Sequence, residues 1–237
     1  MKYSIIIPCF NSVNFIEKKI NILVKFLNKL SIKYEIIIID DCSNDGTFYK
    51  LLKIEKKNNN IIIIKNNKNF GKSHSIIKGI NKSHYEKIIL IDADLPYLHK
   101  LSKIIIGLNK YDLIIIDRRH EKSKNLDTKI NSYQFLRIKI GILINKIIRL
   151  FISIDYKDTQ AGLKGFIKPN NFSKLKFVSK KFFFDLELIL FFHKMKKKIK
   201  TIPTHYRISR NSSIKIFDLN NNIEILYELF RVLFKKL

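Results

Sequence analysis

The chain has little cysteine, glycine and proline, and no tryptophan. Its two cysteines, Cys9 and Cys42, exclude a disulfide framework and a cysteine zinc site. Seven glycines and four prolines in 237 residues exclude collagen-like and low-complexity chains. No apolar run approaches the ~20 residues that span a bilayer, and the N-terminus shows no signal-peptide pattern. We therefore expect a cytoplasmic protein without a transmembrane segment.

Acidic residues are also scarce relative to basic ones. Twenty Asp and Glu face 46 Lys and Arg, which gives a formal net charge of +26. A strongly basic surface suits nucleic acid, an anionic membrane or a phosphorylated substrate. Heavy use of Ile, Lys and Asn along the chain indicates compositional drift as an equal explanation. The charge alone therefore identifies no partner.

Strand and helix patterns alternate through the first half of the chain. Short apolar runs predict strands at residues 3–7, 35–39, 61–64, 87–91 and 113–116. Apolar residues at helical spacing predict helices at 13–30, 48–57 and 73–81. Strands that are apolar throughout are typical of sheets with helices on both faces. The pattern predicts an α/β fold with a mainly parallel central sheet flanked by helices.

The second half is more helical. Helical patterns cover residues 132–152, 181–198 and 222–237, and a strand-like run covers 201–207. No linker or internal repeat forces a domain boundary. We expect one domain over residues 1–216, with residues 217–237 forming an amphipathic helix packed on it.

Candidate site residues lie at the ends of three of the predicted strands. Pro8 ends the first strand, Asp40 and Asp41 end the second, and Asp92 and Asp94 follow the fourth. In parallel sheets, ligands bind beyond the carboxyl ends of the strands. These residues are therefore the first candidates for a functional site.

Asp92-Ala93-Asp94 is the strongest of these short motifs. On an extended strand end, residues i and i+2 point the same way, so both carboxylates can face one cation. Hard oxygen ligands suit Mg²⁺ or Mn²⁺, which commonly bridge a carboxylate to substrate phosphates. The motif therefore predicts a divalent cation on Asp92 and Asp94.

Asp40 and Asp41 allow two interpretations. One carboxylate can accept hydrogen bonds from a nucleobase or a ribose. Alternatively, the pair caps the helix that follows, a contact worth ~1 kcal/mol. Two acids are present and one cap is needed, so both interpretations can hold.

Two common nucleotide motifs are absent. Gly71-Lys72-Ser73 resembles the end of a phosphate-binding loop, but Asn66 occupies the position that needs the first glycine. No G-x-G-x-x-G pattern follows the first strand. These absences remove the main support for a kinase, an ATPase or a dehydrogenase.

Further candidates lie later in the chain. Arg118 and Arg119 follow the fifth strand, where a cation can meet a diphosphate or remain solvated. Asp185 and Glu187 lie in an apolar neighbourhood, where one can act as a base or orient an acceptor. Alternatively, they are acids at a helix N-terminus that interact with backbone N–H groups.

The motifs taken together resemble glycosyltransferase family 2. The residues that carry the resemblance lie at 5–11, 35–47 and 92–95, in the family's order and approximate spacing. The resemblance implies a GT-A fold, a nucleotide-sugar donor, and a single inverting displacement at the anomeric carbon of the sugar.

Residues 158–166, 184–188, 202–203 and 210–215 resemble the polyprenyl-phosphate branch of that family, which includes dolichyl-phosphate mannose synthases and glucosyltransferases. The resemblance covers residues 3–216. It implies a polyprenyl-phosphate acceptor and a donor that is UDP-glucose or GDP-mannose. The wording Asp-Thr-Gln-x-Gly-x-Lys is closer to the glucosyl enzymes.

The resemblance also implies roles for individual residues. It implies a nucleotide pocket lined by Pro8, Phe10, Ile39 and Asp41. It also implies that the metal and the donor diphosphate are bound by Asp92, Ala93, Asp94, Arg118, Arg210 and Lys215. Two departures from this branch concern the identity of the sugar and of the nucleobase. Ser12 stands where the mannose synthases have an acid. Arg210 and Lys215 are one residue closer together than in the branch, and the glycine between them is missing.

The acceptor decides which residues are catalytic. A lipid phosphate is already an anion and needs little help from a base, which fits the absence of an obvious catalytic His or triad. The candidate catalytic residues are Asp94, Arg118, Asp185 and Glu187. A saccharide acceptor of the cell envelope, the first alternative, would make Asp185 or Glu187 essential. A basic nucleic-acid-binding protein, the second, needs exposed stacking aromatics, whereas the Phe-rich stretches look buried. We therefore expect no nucleic-acid partner.

The predicted helix at 132–152 combines apolar residues with basic ones, which are Arg137, Lys139, Lys146 and Arg149. Such a helix can lie in a membrane interface or simply contribute to the core. We expect peripheral contact with the inner face of the membrane, and a separate membrane-anchoring subunit is compatible with it.

Overall fold

The computed structural model describes residues 1–151, 156–170, 172–208 and 219–234. Its strands are β1 Lys2–Cys9, β2 Lys33–Asp40, β3 Ile61–Lys65, β4 Lys87–Ile91, β5 Leu113–Asp117, β6 Lys124–Asn125, β7 Leu163–Ile167, β8 Ile199–Pro203 and β9 His205–Tyr206. Its α-helices are α1 Ile16–Asn28, α2 Thr47–Glu55, α3 Lys72–Lys82, α4 Leu101–Gly107, α5 Ser132–Phe151, α6 Phe184–Lys194 and α7 Leu219–Leu233.

The central sheet has seven strands in the order β3-β2-β1-β4-β7-β5-β8. All neighbouring strands are parallel except β7, which runs antiparallel to both β4 and β5. The mainly parallel sheet is confirmed. β6 and β9 form a separate parallel pair.

The apolar strands are buried on both faces because helices cover each side. In β2, Ile36 and Ile38 belong to the core beneath α1, whereas Ile37 and Ile39 belong to the core beneath α3 and α6. Each fully buried isoleucine contributes roughly 1.5–3 kcal/mol of transfer free energy. A shift of β2 by one residue would therefore exchange its two rows of buried isoleucines, and neither row would become exposed to solvent.

A third core joins the last three helices. Ile148 of α5, Leu186 of α6 and Leu229 of α7 are buried in it together. α7 begins at Leu219 and packs its inner face on this core, while Ile223, Phe230 and other apolar residues of its outer face are exposed. Within the described ranges, no helix is both long and apolar enough to cross a membrane.

Several elements differ from the sequence prediction. β6, β7 and α4 were not expected, and two strands, β8 and β9, replace the single run expected at 201–207. α6 covers residues 184–194 rather than 181–198. The N–H groups of residues 181 and 182 bind the carboxylate of Glu228 instead of starting the helix. Lys196, with a backbone φ of 50°, lies just beyond its C-terminal end.

The strand order places the site. From β1 the chain adds β2 and then β3 on one side, and β4 then pairs with β1 on the other side. The order therefore reverses between β1 and β4, which is where ligands bind in open α/β sheets. The ends of β1, β2 and β4 bring Pro8, Asp41 and Asp92 to this edge.

Candidate active site

Asp92 lies directly after β4 and against the residues that precede β7. Because β7 is antiparallel to β4, Leu163 pairs with Ile91, and Gly162 falls beside Asp92. The Asp92 N–H donates to the Gly162 carbonyl over 3.0 Å. A Cβ on Gly162 would lie 2.1 Å from Oδ2 of Asp92, so only glycine leaves space for this carboxylate.

Lys72, the first residue of α3, forms an ion pair with Asp92. Its Nζ lies 2.6 Å from Oδ1 of Asp92. Desolvation would lower the pKa of Lys72, but the charges of Asp92, Asp185 and Asp94 outweigh it and raise that pKa. The ammonium therefore remains charged, with Asp92 in contact and the charges of Asp185 and Asp94 near enough to stabilise it.

Asp94 is exposed, yet it is close to Asp92. Desolvation by the surrounding protein, followed by the charge of Asp92, raises the pKa of Asp94. The strand ends at Ile91, and residues 92–95 form a turn rather than the extended strand end that the sequence predicts. Two carboxylates that repel each other within this turn fit a divalent cation. Among the described residues, no cluster of three or more His, Cys, Asp and Glu side chains is placed to hold a metal. The chain thus offers two carboxylates, and water and phosphate oxygens can complete the shell of a Mg²⁺ or Mn²⁺ ion.

Asp185, in the first turn of α6, forms an ion pair with a buried lysine. Oδ1 of Asp185 lies 3.0 Å from Nζ of Lys164, whose side chain is 1% exposed. Together with Lys72 and Asp92, these residues form an alternating series of charges from β7 to the end of β4. A buried ammonium without such a partner would be strongly unfavourable.

Glu187 has a different environment. It is 1% exposed, and its carboxylate accepts hydrogen bonds from the main-chain N–H groups of Val178 and Ser179 at 2.7–3.0 Å. It therefore binds the segment before α6, whereas Asp185 faces the charge series.

Arg118 follows β5 and binds Asp158 with two parallel hydrogen bonds. Nε donates to Oδ2 over 2.6 Å, and an Nη donates to Oδ1 over 2.8 Å. Desolvation would raise the pKa of Asp158, but the bonds from Arg118 lower it to about 2. The Arg118 side chain is still 31% exposed. Arg119 instead donates to the carbonyls of Lys157 and Gly141.

The nucleotide end of the site lies at the tips of β1 and β2. The carboxylate of Asp41 is buried and accepts bonds from Asn66 and from the N–H groups of Phe70 and Gly71. Asp41 therefore shapes the loop that leads into Lys72. Oδ1 of Asp40 is buried and has no hydrogen-bond partner among the described residues.

The remaining nucleotide-pocket candidates differ in exposure. Phe10 is 47% exposed beyond β1, Pro8 is partly buried, and Ala93 is buried beside the acids. Ile39 is fully buried, and its side chain closely approaches Gly79 of α3. Its side chain therefore belongs to the core, and only its main chain can contribute to a pocket.

The loops after β1 and β2 are bound to each other. Asp45 accepts bonds from the N–H groups of Val13 and Thr47 at 3.0 and 2.9 Å, and from the Thr47 hydroxyl. Desolvation would raise the pKa of Asp45, but the hydroxyl and the two N–H groups lower it. The Ser12 N–H donates to the Thr47 hydroxyl over 2.7 Å. The two strand ends thus form one connected edge.

The structure leaves two predicted site residues undescribed and brings four residues to the site that the sequence did not assign to it. Arg210 and Lys215 lie outside the described residues. The residues that the sequence did not assign to the site are Lys72, Asp158, Gly162 and Lys164. Three of them belong to the segment at 158–166 that carries the family resemblance. The motif therefore indicated that this segment is important but not what each of its residues does.

Comparison with known proteins agrees with this geometry. The model of the family described as glycosyl transferase family 2 matches residues 4–215. A dolichyl-phosphate beta-glucosyltransferase of Dictyostelium discoideum is 27% identical over 250 residues, covering 99% of this chain and 74% of that protein. A dolichol-phosphate mannosyltransferase of Pyrococcus furiosus is 28% identical over 165 residues, 68% of this chain and 45% of that protein. The chain spans less than half the length of several of these curated relatives.

Among solved structures, the glucosyl-3-phosphoglycerate synthase of Mycobacterium tuberculosis, solved with Mn²⁺, UDP-glucose and phosphoglyceric acid, is similar to this chain. Its TM-score is 0.67 at 12% identity, over 98% of this chain and 79% of that one. This likeness supports the expected GT-A fold, and the family model covers most of the sequence. The chain therefore belongs to glycosyltransferase family 2.

Proposed function

We propose that this protein transfers a hexose from a nucleotide-sugar to a polyprenyl phosphate. The observation that carries the proposal is the pair of carboxylates after β4, at the point where the strand order reverses, with Lys72 bound to one of them. The similarity along 99% of the chain to a dolichyl-phosphate beta-glucosyltransferase supports the lipid acceptor. For the same reason UDP-glucose is the first donor to test, and GDP-mannose is the second.

In this proposal Asp92 and Asp94 bind a Mg²⁺ or Mn²⁺ ion. The ion would neutralise the negative charge that develops on the departing diphosphate. Gly162 fixes where the Asp92 carboxylate lies, because any larger residue would displace it. Desolvation and, after it, the charge of Asp92 raise the pKa of Asp94, and a bound cation would oppose both effects by favouring the ionised carboxylate.

Lys72 is the residue we assign to the donor diphosphate. Its ammonium is next to Asp92, 39% of its side chain is exposed, and it belongs to the first turn of a helix. Cations at such a position stabilise phosphate oxygens through charge-assisted hydrogen bonds. Arg118 supplies a second cation, oriented by its two bonds to Asp158.

The displacement itself needs few groups from the protein. An oxygen of the acceptor phosphate attacks the anomeric carbon, and the bond from that carbon to the diphosphate oxygen breaks with inversion. The electron pair leaves with the nucleoside diphosphate. Because the acceptor oxygen carries no proton at neutral pH, no base has to remove one.

Asp185 fits an orienting role in this scheme. Its carboxylate is bound to Lys164 and lies near Lys72, so it balances two cations rather than facing a neutral hydroxyl. The alternative acceptor, a saccharide hydroxyl, would require this residue as a base. The two acceptors therefore make opposite demands on Asp185.

An Asp185→Asn variant separates the two acceptors, with Glu121→Gln, an exposed acid after β5, as the control. With a polyprenyl phosphate as acceptor, Asp185→Asn should retain about a tenth or more of the wild-type turnover, since no proton transfer is lost. Turnover that instead depends on a saccharide acceptor, and that falls about a thousandfold or more in a folded Asp185→Asn variant, would favour the saccharide alternative.

The lipid acceptor also implies contact with a membrane surface. α5 and α7 pack on the same core and leave apolar side chains exposed, which are Phe135, Leu136, Ile142, Leu143, Ile223, Leu226, Tyr227, Phe230 and Phe234. Lys139, Lys146 and Arg149 of α5 are exposed beside them. Apolar and basic residues together are typical of helices that lie in an anionic interface. The side chain of Arg137 is outside the described set.

A further inference from the structure

Glu228 is a buried acid on the C-terminal helix α7. It is 7% exposed, and its carboxylate accepts hydrogen bonds from the N–H groups of Lys180, Lys181 and Phe182 and from the hydroxyl of Ser179. One side chain of α7 thus binds four donors of the segment that leads into α6. Charged acceptors form the strongest hydrogen bonds of this kind.

This segment is bound by a second carboxylate from its other end. Glu187 accepts the N–H groups of Val178 and Ser179, and Glu228 accepts the next three. The main-chain donors of residues 178–182 are therefore all satisfied by two acids. The conformation of the segment depends on both of them.

The same segment contacts the residues on either side of Lys72. The His74 N–H donates to the Lys180 carbonyl, and the hydroxyls of Ser73 and Ser179 are 2.9 Å apart. Gly71, with a φ of +94°, lies so close that a Cβ would be 2.8 Å from the Lys180 carbonyl oxygen. Residues 71, 73 and 74 are thus all positioned by the segment that Glu228 binds.

The hydroxyl contacts have a direction. An ionised carboxylate can only accept, so the Ser179 hydroxyl donates to Glu228. Ser179 has then used its one hydrogen, and Ser73 must donate to it. The chain of bonds runs from Ser73, the neighbour of Lys72, to Glu228.

We infer that Glu228 is a positioning residue for Lys72, acting through residues 179–182. It places the Lys72 ammonium against Asp92 although α7 itself contacts neither residue in the bonds described above. The inference rests on the proposed function, because that proposal assigns Lys72 to the donor diphosphate. It extends the site to the C-terminal helix, whose outer face is apolar.

The test is a Glu228→Gln variant of the full chain, with Glu224→Gln as the matched control. Glu224 lies one turn earlier on α7 and forms an exposed ion pair with Lys181, at 47% and 41% exposure. Calorimetric titration with UDP and GDP in excess Mn²⁺ measures binding. Hydrogen exchange at the amides of residues 180–182 reports independently whether the contact is loosened.

Glu228→Gln should weaken nucleotide binding roughly threefold to tenfold. Lys72→Met should weaken it by ~tenfold to hundredfold, which is more because the ammonium itself is lost. In a Lys72→Met background, Glu228→Gln should have no further effect, because the residue through which it acts is gone. Equal losses in both backgrounds, or faster exchange at 180–182 with unchanged binding, would overturn the inference. If the wild-type protein bound neither nucleotide, the proposed function would fail first, and the inference with it.

Discussion

The Nζ of Lys72 lies 2.6 Å from Oδ1 of Asp92, joining the start of α3 to the end of β4. The two residues come from opposite sides of the point where the strand order reverses. Their contact brings a cation to the two acids that we assign to metal binding, and we propose that this cation binds the donor diphosphate. The predictions below follow from this arrangement and from the residues that support it.

Replacing Lys72 by Met should lower turnover of the donor roughly a hundredfold, because a preorganised charge opposite the leaving diphosphate is lost. Lys82→Met, on an exposed turn at the end of the same helix, is the matched control and should leave turnover unchanged. Initial rates of nucleoside diphosphate release measure both. Equal rates for the two variants would remove Lys72 from the site.

Replacing Gly162 by Ala should displace the Asp92 carboxylate, since the new Cβ would lie 2.1 Å from its Oδ2. We expect turnover to fall about a hundredfold, as for other small misplacements of reacting groups. Gly141→Ala adds the same methyl group inside α5, where its nearest neighbour is 3.7 Å away, and should retain full activity. If Gly162→Ala matches this control in turnover, Asp92 does not need its observed position.

The Arg118–Asp158 pair predicts a pH-dependent stability. The pKa of Asp158 falls from 3.8 to about 2 on folding, so the pair contributes stability above pH 4 that is lost as the pH falls toward 2. A shift of this size corresponds to about 2 kcal/mol for a buried group. Urea unfolding at pH 6 and at pH 2.5 should therefore show a smaller pH effect in Asp158→Asn than in the wild type. Identical pH effects would contradict the assignment.

The basic residues of α5 should contribute to membrane binding. Changing Lys139, Lys146 and Arg149 to Gln should weaken binding to anionic phosphatidylserine vesicles roughly tenfold to hundredfold, since each cation near such a surface contributes about 1 kcal/mol. The control changes the same number of charges on α1 and at its C-terminal end, which are exposed Lys18, Lys25 and Lys29. Vesicle sedimentation at low ionic strength measures both variants. A loss that is equal in the two would show attraction by net charge rather than by α5.

Much of the fold follows from the sequence because its physical signals are local. Apolar runs such as residues 36–39 predict buried strands, and the alternation with helices predicts a parallel sheet with its acids at one edge. β7 gives no such signal, because Lys164 and Gly165 interrupt its apolar pattern. The buried Lys164 is stabilised by its ion pair with Asp185, which lies on another element and whose position only the tertiary structure shows.

The site was predictable at its acids and less so at their neighbours. Asp92 and Asp94 form a motif within three residues, whereas Lys72 looks like an ordinary solvated lysine until α3 packs on β1 and β2 and brings Lys72 to Asp92. Glu228 is the extreme case, because its partners are mainly main-chain N–H groups that no residue pattern specifies. Contacts of this kind require the folded chain.

The central claim is hexose transfer to a polyprenyl phosphate, and nucleoside diphosphate release tests it most directly. The assay offers UDP-glucose or GDP-mannose to the full chain with Mn²⁺ or Mg²⁺, with and without polyprenyl phosphate, beside an Asp94→Ala variant. We predict release that requires the metal, rises with the lipid phosphate and disappears in Asp94→Ala. Release that the lipid does not increase but a saccharide acceptor does would contradict the claim.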